Sequence, residues 1–206
     1  MSNLHIVIAR YNESLSWLDT CLTPVQRRSV WIYNKGPDPI SVDGVPDSQI
    51  KTLPNVGREA HTYITHIIDQ WEHLPKHIYF LQGDPFPHLE IKDSFEVVQK
   101  WFERCTEQIF KKGFSQNVNW DLQSKDVHEP DTDQSPYTFG EWLQKNTGKK
   151  LGYPLLWYVG ACLGCSREQV KCRTREYYER LRDQLMTLKP EVAYYLERAW
   201  FYVFQL

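Results

Sequence analysis

Apolar residues along the chain fall into short runs that stop abruptly on polar residues, separated by stretches with a helical repeat. Leu4-His5-Ile6-Val7-Ile8-Ala9 is β-branched and apolar on both faces, as an interior parallel strand must be, and it stops at Arg10-Tyr11-Asn12-Glu13. Ser29 to Tyr33 predicts a second strand, ended by the turn signal Asn34-Lys35-Gly36-Pro37. Ile50 to Leu53 reads as a short strand and Ile78 to Leu81 as a buried one. Ser14 to Leu18 begins a short helix capped by Ser14 or Ser16. Ala60, Tyr63, Ile64, Ile67, Ile68 and Trp71 recur at helical spacing, in a helix opened by Pro54 to Glu59 and closed near Leu74-Pro75. A second helix is predicted over Phe95 to Phe110.

Further along, Gln116 to Pro136 is a long polar loop, Phe139 to Gln144 a helical turn, and Leu155 to Val159 a strand running into Gly160 to Cys165. Ser166 with Gln169 forms a capping box, and helices follow over Arg175 to Leu188 and Glu191 to Phe204. The order strand, helix, strand, loop, helix, strand predicts an α/β three-layer sandwich: a central, mostly parallel, twisted sheet flanked by helices, with right-handed crossovers.

At 206 residues one domain, spanning 1–206, is expected. A hydrophobic fraction of 41% beside 24% charged residues argues against disorder. Aromatics reach 14%, more than a core alone needs, and such rings also make walls for flat or sugar-like ligands. The net charge of −2 provides no basic field for nucleic acid or a membrane surface. The chain opens without a basic leader or cleavage site, and no run approaches the roughly 18 apolar residues of a membrane span. A soluble, cytoplasmic protein is expected. Five cysteines, an odd number, predict free thiols.

Candidate chemistry gathers at three strand ends. Arg10 to Glu13, Tyr33 to Lys35 and Gln82-Gly83-Asp84 share one sheet edge if their strands are parallel neighbours, and ligands of open α/β sheets bind there. Asp84, held at a strand tip beside a residue without a side chain, suits a hard divalent cation that also carries phosphates; the competing reading is an ordinary turn. No dinucleotide fingerprint, P-loop or nucleophile elbow is present. Arg58, at a helix start, is placed to pair with a diphosphate in bidentate fashion, and Lys35 to add a point charge, against the plainer reading of solvated surface charges. His61 lies on the same helix, where a solvated or core-edge histidine is the plainer assignment. Cys162 and Cys165 have zinc-knuckle spacing without a second pair, which argues against zinc.

These blocks resemble a known family. Ile8 to Glu13, Tyr33 to Gly36, Pro54 to Tyr63, Phe80 to Phe86, Gly160-Ala161 through Glu168, and Glu197 to Trp200 are together similar to small GT-A-type glycosyltransferase-like proteins. Within that family the likeness is strongest to the branch that glycosylates the major capsid protein of chlorella viruses. The resemblance implies a GT-A-like fold, a UDP-sugar donor, an Mn²⁺ or Mg²⁺ ion bridging its diphosphate, and a glycan or glycoprotein acceptor. The family's Asp-x-Asp signature would stand here as Gln82-Gly83-Asp84, leaving Asp84 as the motif's one carboxylate and metal ligand. By position, Ala9, Arg10 and Tyr11 would border the uracil, Tyr33, Asn34 and Lys35 its other side, and Arg58 the diphosphate. Inverting transfer needs a carboxylate base, for which Asp126, Glu129, Asp131, Glu168 and Glu197 are candidates; Asp84, Glu129 and Glu197 make the expected catalytic set. The competing functions are a non-catalytic nucleotide- or glycan-binding module and a nucleotide-sugar phosphohydrolase.

Overall fold

The computed structural model describes residues 3–89, 95–100, 114–116, 131–152, 155–157 and 162–204. Seven strands are present among them: β1 (Leu4–Arg10), β2 (Val30–Asn34), β3 (Ile50–Thr52), β4 (His77–Gln82), β5 (Phe114–Gln116), β6 (Leu155–Trp157) and β7 (Leu163–Ser166). The helices are α1 (Trp17–Cys21), α2 (Pro24–Arg27), α3 (Arg58–Asp69), α4 (Phe86–Leu89), α5 (residues 95–100), α6 (Phe139–Thr147), α7 (Arg167–Lys171), α8 (Arg175–Asp183) and α9 (Glu191–Val203).

The main sheet has the order β3-β2-β1-β4-β7, parallel except for β7 at its edge, while β5 and β6 make a separate antiparallel pair. The sheet is flanked by helices as the alternation of strand and helix requires. Successive side chains of a strand point to opposite faces, and here both faces are covered. Val7, Ala9, Tyr33, Ile78 and Phe80 pack toward α3, α8 and α9. Ile6, Ile8, Ile32, Tyr79 and Leu81 pack toward α1 and Val98 of α5. Each such side chain contributes about 1.5–3 kcal/mol by leaving water, so no strand of this sheet can slip register cheaply.

Several predicted elements are refined. The helix expected from Pro54 starts at Arg58, because Gly57 is in the left-handed region and only there does the backbone turn into the helix; a 3-10 turn over Trp71–His73 completes its far end. The expected turn at 139–144 is the full helix α6, started by a capping box between Thr138 and Glu141 and stopped by Gly148 at positive φ. Leu155–Trp157 of the predicted strand lie in the small sheet, Leu163–Ser166 form the edge strand β7, and residues 158–161 lie outside the described residues. Of the helix predicted to Phe110 and the loop from Gln116 to Pro136, residues 101–110 and 117–130 lie outside the described residues. Among the described residues no helix is long and apolar enough to cross a membrane.

Candidate functional site

From β1 the chain builds outward through β2 to β3, and then α3 carries it back to place β4 on the other side of β1. The strand order therefore reverses between β1 and β4, and loops leaving their carboxyl ends must diverge, opening a crevice. Register pairs Arg10 with Asn34 and Ala9 with Gln82, so all three polar tips do lie on this edge.

A dense set of bonds shapes the crevice. Arg10 Nε donates to the Glu13 carbonyl at 3.0 Å, and its guanidinium to Asn34 Oδ1 at 2.7 Å. Glu13 Oε2 accepts from the amides of Tyr11 and Asn12 at 2.7 and 3.1 Å, folding its carboxylate back over the β1 tip. A Cβ at Gly83 would stand 2.7 Å from that same oxygen, so Glu13 lies directly against the residue preceding Asp84. Trp17 Nε1 takes the Gly83 carbonyl at 2.8 Å from within the core. Beside these groups opens a cleft of about 380 Å³ whose walls include Arg10, Glu13, Leu15, Ile40 and Asp43.

Asp84 is exposed, with Oδ1 accepting the Phe86 amide at 3.3 Å as a cap for α4. Its position and donor chemistry fit a hard divalent cation: one carboxylate at a strand tip, with the remaining oxygens to come from phosphates and water. Among the described residues no group of three His, Cys, Asp or Glu side chains is arranged for a metal, so a cation here would rely on its phosphate partner.

The opposite side of the β4 tip faces α3 and α9. Lys35 is buried, and its ammonium donates to the carbonyls of Val56 (2.6 Å) and Arg58. Burial pulls its pKa down to about 8, against the opposing pull of Glu59. The anchorage matters because Gly57 and Arg58 both have positive φ, 60° and 49°, and a Cβ at Gly57 would meet the Leu185 carbonyl at 2.6 Å. The Arg58 guanidinium donates to Tyr194 Oη at 2.8 Å and covers that ring, with 39% of the side chain exposed. Glu59 Oε2 lies 3.8 Å from Arg58 Nε.

The structure thus divides the sequence-derived candidates. Arg10, Tyr11, Gln82, Gly83 and Asp84 sit at the crevice, and Tyr11 is 45% exposed. Tyr33 does not border it: its side chain is fully buried and its hydroxyl pairs with His66 Nδ1 at 3.0 Å, because residue 33 points to the α3 face. Asn34 and Lys35 are buried too: Asn34 donates to the Asp38 carbonyl and accepts from Arg10, and Lys35 donates to the Val56 carbonyl, so they hold the rim instead of lining a base; Ala9 is a core residue beneath it. Glu168 stands beside Lys76 and His77 at the other end of β4. Glu129 and Asp126 lie outside the described residues, and Asp131 is exposed. Glu197, on α9, is half-buried near Tyr63. Sequence reading missed Trp17 and Glu59. Glu59 carried a signal, an acid in the first turn of a helix that opens on the rim.

A larger cleft, about 630 Å³, lies between α6 and the loop joining α8 to α9. The Gln184 amide in its wall accepts from the Trp142 indole and donates to Asn146, and the cleft is remote from the strand-order reversal, which makes the smaller cleft the better site.

The family model described as protein of unknown function (DUF3431) matches residues 6–206, and the chain belongs to that family. No curated protein and no solved structure matches it.

Proposed function

We propose that this member of the DUF3431 family is a glycosyltransferase that uses a UDP-sugar with Mn²⁺ or Mg²⁺ and binds the donor where β1 and β4 part. The observation that carries the reading is the reversal of strand order between β1 and β4, with Glu13 folded against Gly83 and Asp84 exposed beyond it. The cleft by Arg10 and Leu15 takes the nucleoside, with Tyr11 offering an exposed ring near its mouth. Asp84 would hold the cation, which when bound neutralises charge on the departing diphosphate. Arg58 keeps exposed guanidinium surface at the start of α3, where helix amides also favour an anion. The resemblance to capsid-glycosylating proteins makes a glycan or glycoprotein the acceptor, and a viral capsid protein is one candidate.

The reading is tested by incubating the protein with a panel of UDP-sugars, with and without Mn²⁺, and following UDP release and the fate of the sugar. Mn²⁺-dependent release with sugar transferred to a glycan is expected. Sugar found only in water would make the protein a phosphohydrolase, and UDP binding without release a binding module.

A further inference from the structure

The larger cleft, about 630 Å³ between α6 and the loop joining α8 to α9, has walls that are each held from behind. Asp133 and Pro190 pair as a parallel bridge, with the Asp133 amide on the Lys189 carbonyl and the Glu191 amide on the Asp133 carbonyl, both at 2.9 Å. The Glu191 side chain is fully buried, and its Oε2 accepts the Ser135 amide at 2.7 Å. Burying a carboxylate is costly, and here it fixes the segment from 133 to 137 that forms one wall. Tyr195 Oη of α9 donates to the Tyr137 carbonyl at 2.9 Å and holds the end of the same segment. Across the cleft, Gln184 at the end of α8 donates to Asn146 Oδ1 of α6 at 3.2 Å, which ties those two helices together. A cleft framed in this way is formed before any ligand arrives, and its volume is within the roughly 300–1,000 Å³ of small-molecule sites.

Tyr137, in the first wall, is 36% exposed. The Lys145 ammonium lies 4.1 Å from the centre of its ring and donates to its hydroxyl at 2.5 Å. The same two residues line a second, more open cleft of about 310 Å³ with Glu141 and Gln144, so two clefts flank one aromatic ring beside α6. A ligand that fills both is elongated and passes that ring. Charge in the larger cleft is balanced among the described residues, exposed Asp133 and Asp183 against exposed Lys145 and Arg180, which favours neither a polyanion nor a polycation. Besides the ring, its apolar lining is Pro136 and the buried Pro190 and Val192, too little to seat the large anchor of a protein partner. Sugar hydroxyls fit instead, since each donates to a carboxylate and accepts from an ammonium or guanidinium. The apolar face of a sugar ring in turn suits an aromatic wall. We propose that the groove centred on Tyr137 and Lys145 binds a short neutral oligosaccharide, with Asp183 and Arg180 meeting its hydroxyls. This goes beyond the transferase reading and stands without it, because the groove is remote from the crevice between β1 and β4.

The test titrates the full chain, Tyr137→Ala and Asp183→Asn with the mono- and trisaccharides of the cello-, xylo-, malto- and manno- series, followed by NMR. At least one trisaccharide is expected to bind, about 10-fold or more tighter than its monosaccharide. Its affinity should fall about 10-fold or more in each variant, the loss typical of a hydrogen bond to a charged group in the case of Asp183. Asp183 is exposed and its substitution keeps the shape of the side chain, so Asp183→Asn decides alone if Tyr137→Ala does not fold. UDP with Mn²⁺ is expected to leave the sugar affinity unchanged. The groove is overturned if no sugar binds, if a monosaccharide binds as tightly as its trisaccharide, if the folded variants bind as the wild type does, or if UDP displaces the sugar. Sugar binding lost in the variants while UDP binds none of the three proteins supports the groove and counts against the donor reading alone.

Discussion

The two ends of α3 carry similar side chains and treat them oppositely. In its last turn His66 uses both ring nitrogens inside the core, toward His5 Nδ1 at 3.1 Å and Tyr33 Oη at 3.0 Å, beneath the ring of Trp31. In its first turn Arg58, whose φ is positive, and Glu59 stay partly exposed, and a turn further on the Tyr63 hydroxyl is buried without a hydrogen-bond partner among the described residues. A polar group that is buried and paired stabilises the fold, whereas a charged one partly exposed at a sheet edge stays within reach of a ligand. The contrast separates architecture from site within one helix.

The largest expected effect comes from closing the rim. A Cβ at Gly36 would stand 1.7 Å from the Tyr11 carbonyl oxygen, a backbone atom that cannot move away alone. Gly36→Ala should therefore cost roughly 3 kcal/mol, the upper range for overpacking, read by urea denaturation. A loss under about 0.5 kcal/mol would show that the rim is softer than its bonds suggest. Next, Lys35→Met leaves the Val56 and Arg58 carbonyls without their ammonium in a buried place, and about 2 kcal/mol should be lost. If Lys35 belonged to the ligand site instead, stability would hold and nucleotide affinity would fall.

The paired end is probed by pH. Burial holds His66 well below its ordinary range and His5 at about 4, so the fold keeps both neutral. Above the unfolded value near 6.5 their contribution is complete. As pH falls below it the unfolded chain takes up protons that the folded chain refuses, and each histidine removes about 1.4 kcal/mol of stability per pH unit. For His5 the loss ends near pH 4, and for His66 it continues lower. His66→Gln should flatten the slope between pH 6 and 5 by about 1.4 kcal/mol per unit, and an unchanged slope would place the histidine's proton uptake elsewhere.

The parallel strands and the shared rim were legible because runs such as Ile6-Val7-Ile8 are apolar on both faces and stop on polar residues. The direction of the tip side chains was not. Tyr33 and Ile32 look equally fit for either face, and only pairing with β1 and cover by α3 sends the tyrosine inward. Lys35 looked like a surface charge because its partners are carbonyls of a loop more than twenty residues away, which no local pattern records. Tyr63 and Trp200 belong to helices that meet only after the sheet has formed, so their contact is a tertiary fact. The edge strand β7 was hidden by its Gly164, a residue poor in strand character, in the short run Leu163-Gly164-Cys165-Ser166.

We propose that Asp84 at the β4 tip grips a cation and through it the phosphates of a UDP-sugar. Asp84→Asn keeps the size of the side chain and its cap on Phe86, and changes the charge alone. The most direct measurement is the thermal shift of both proteins titrated with UDP in the presence and absence of Mn²⁺. Wild-type stabilisation should rise with ligand concentration only when Mn²⁺ is present, by about 2.7 kcal/mol at a hundredfold excess over Kd, and should vanish in the variant. Equal stabilisation of the two proteins, or none in either, would contradict the account.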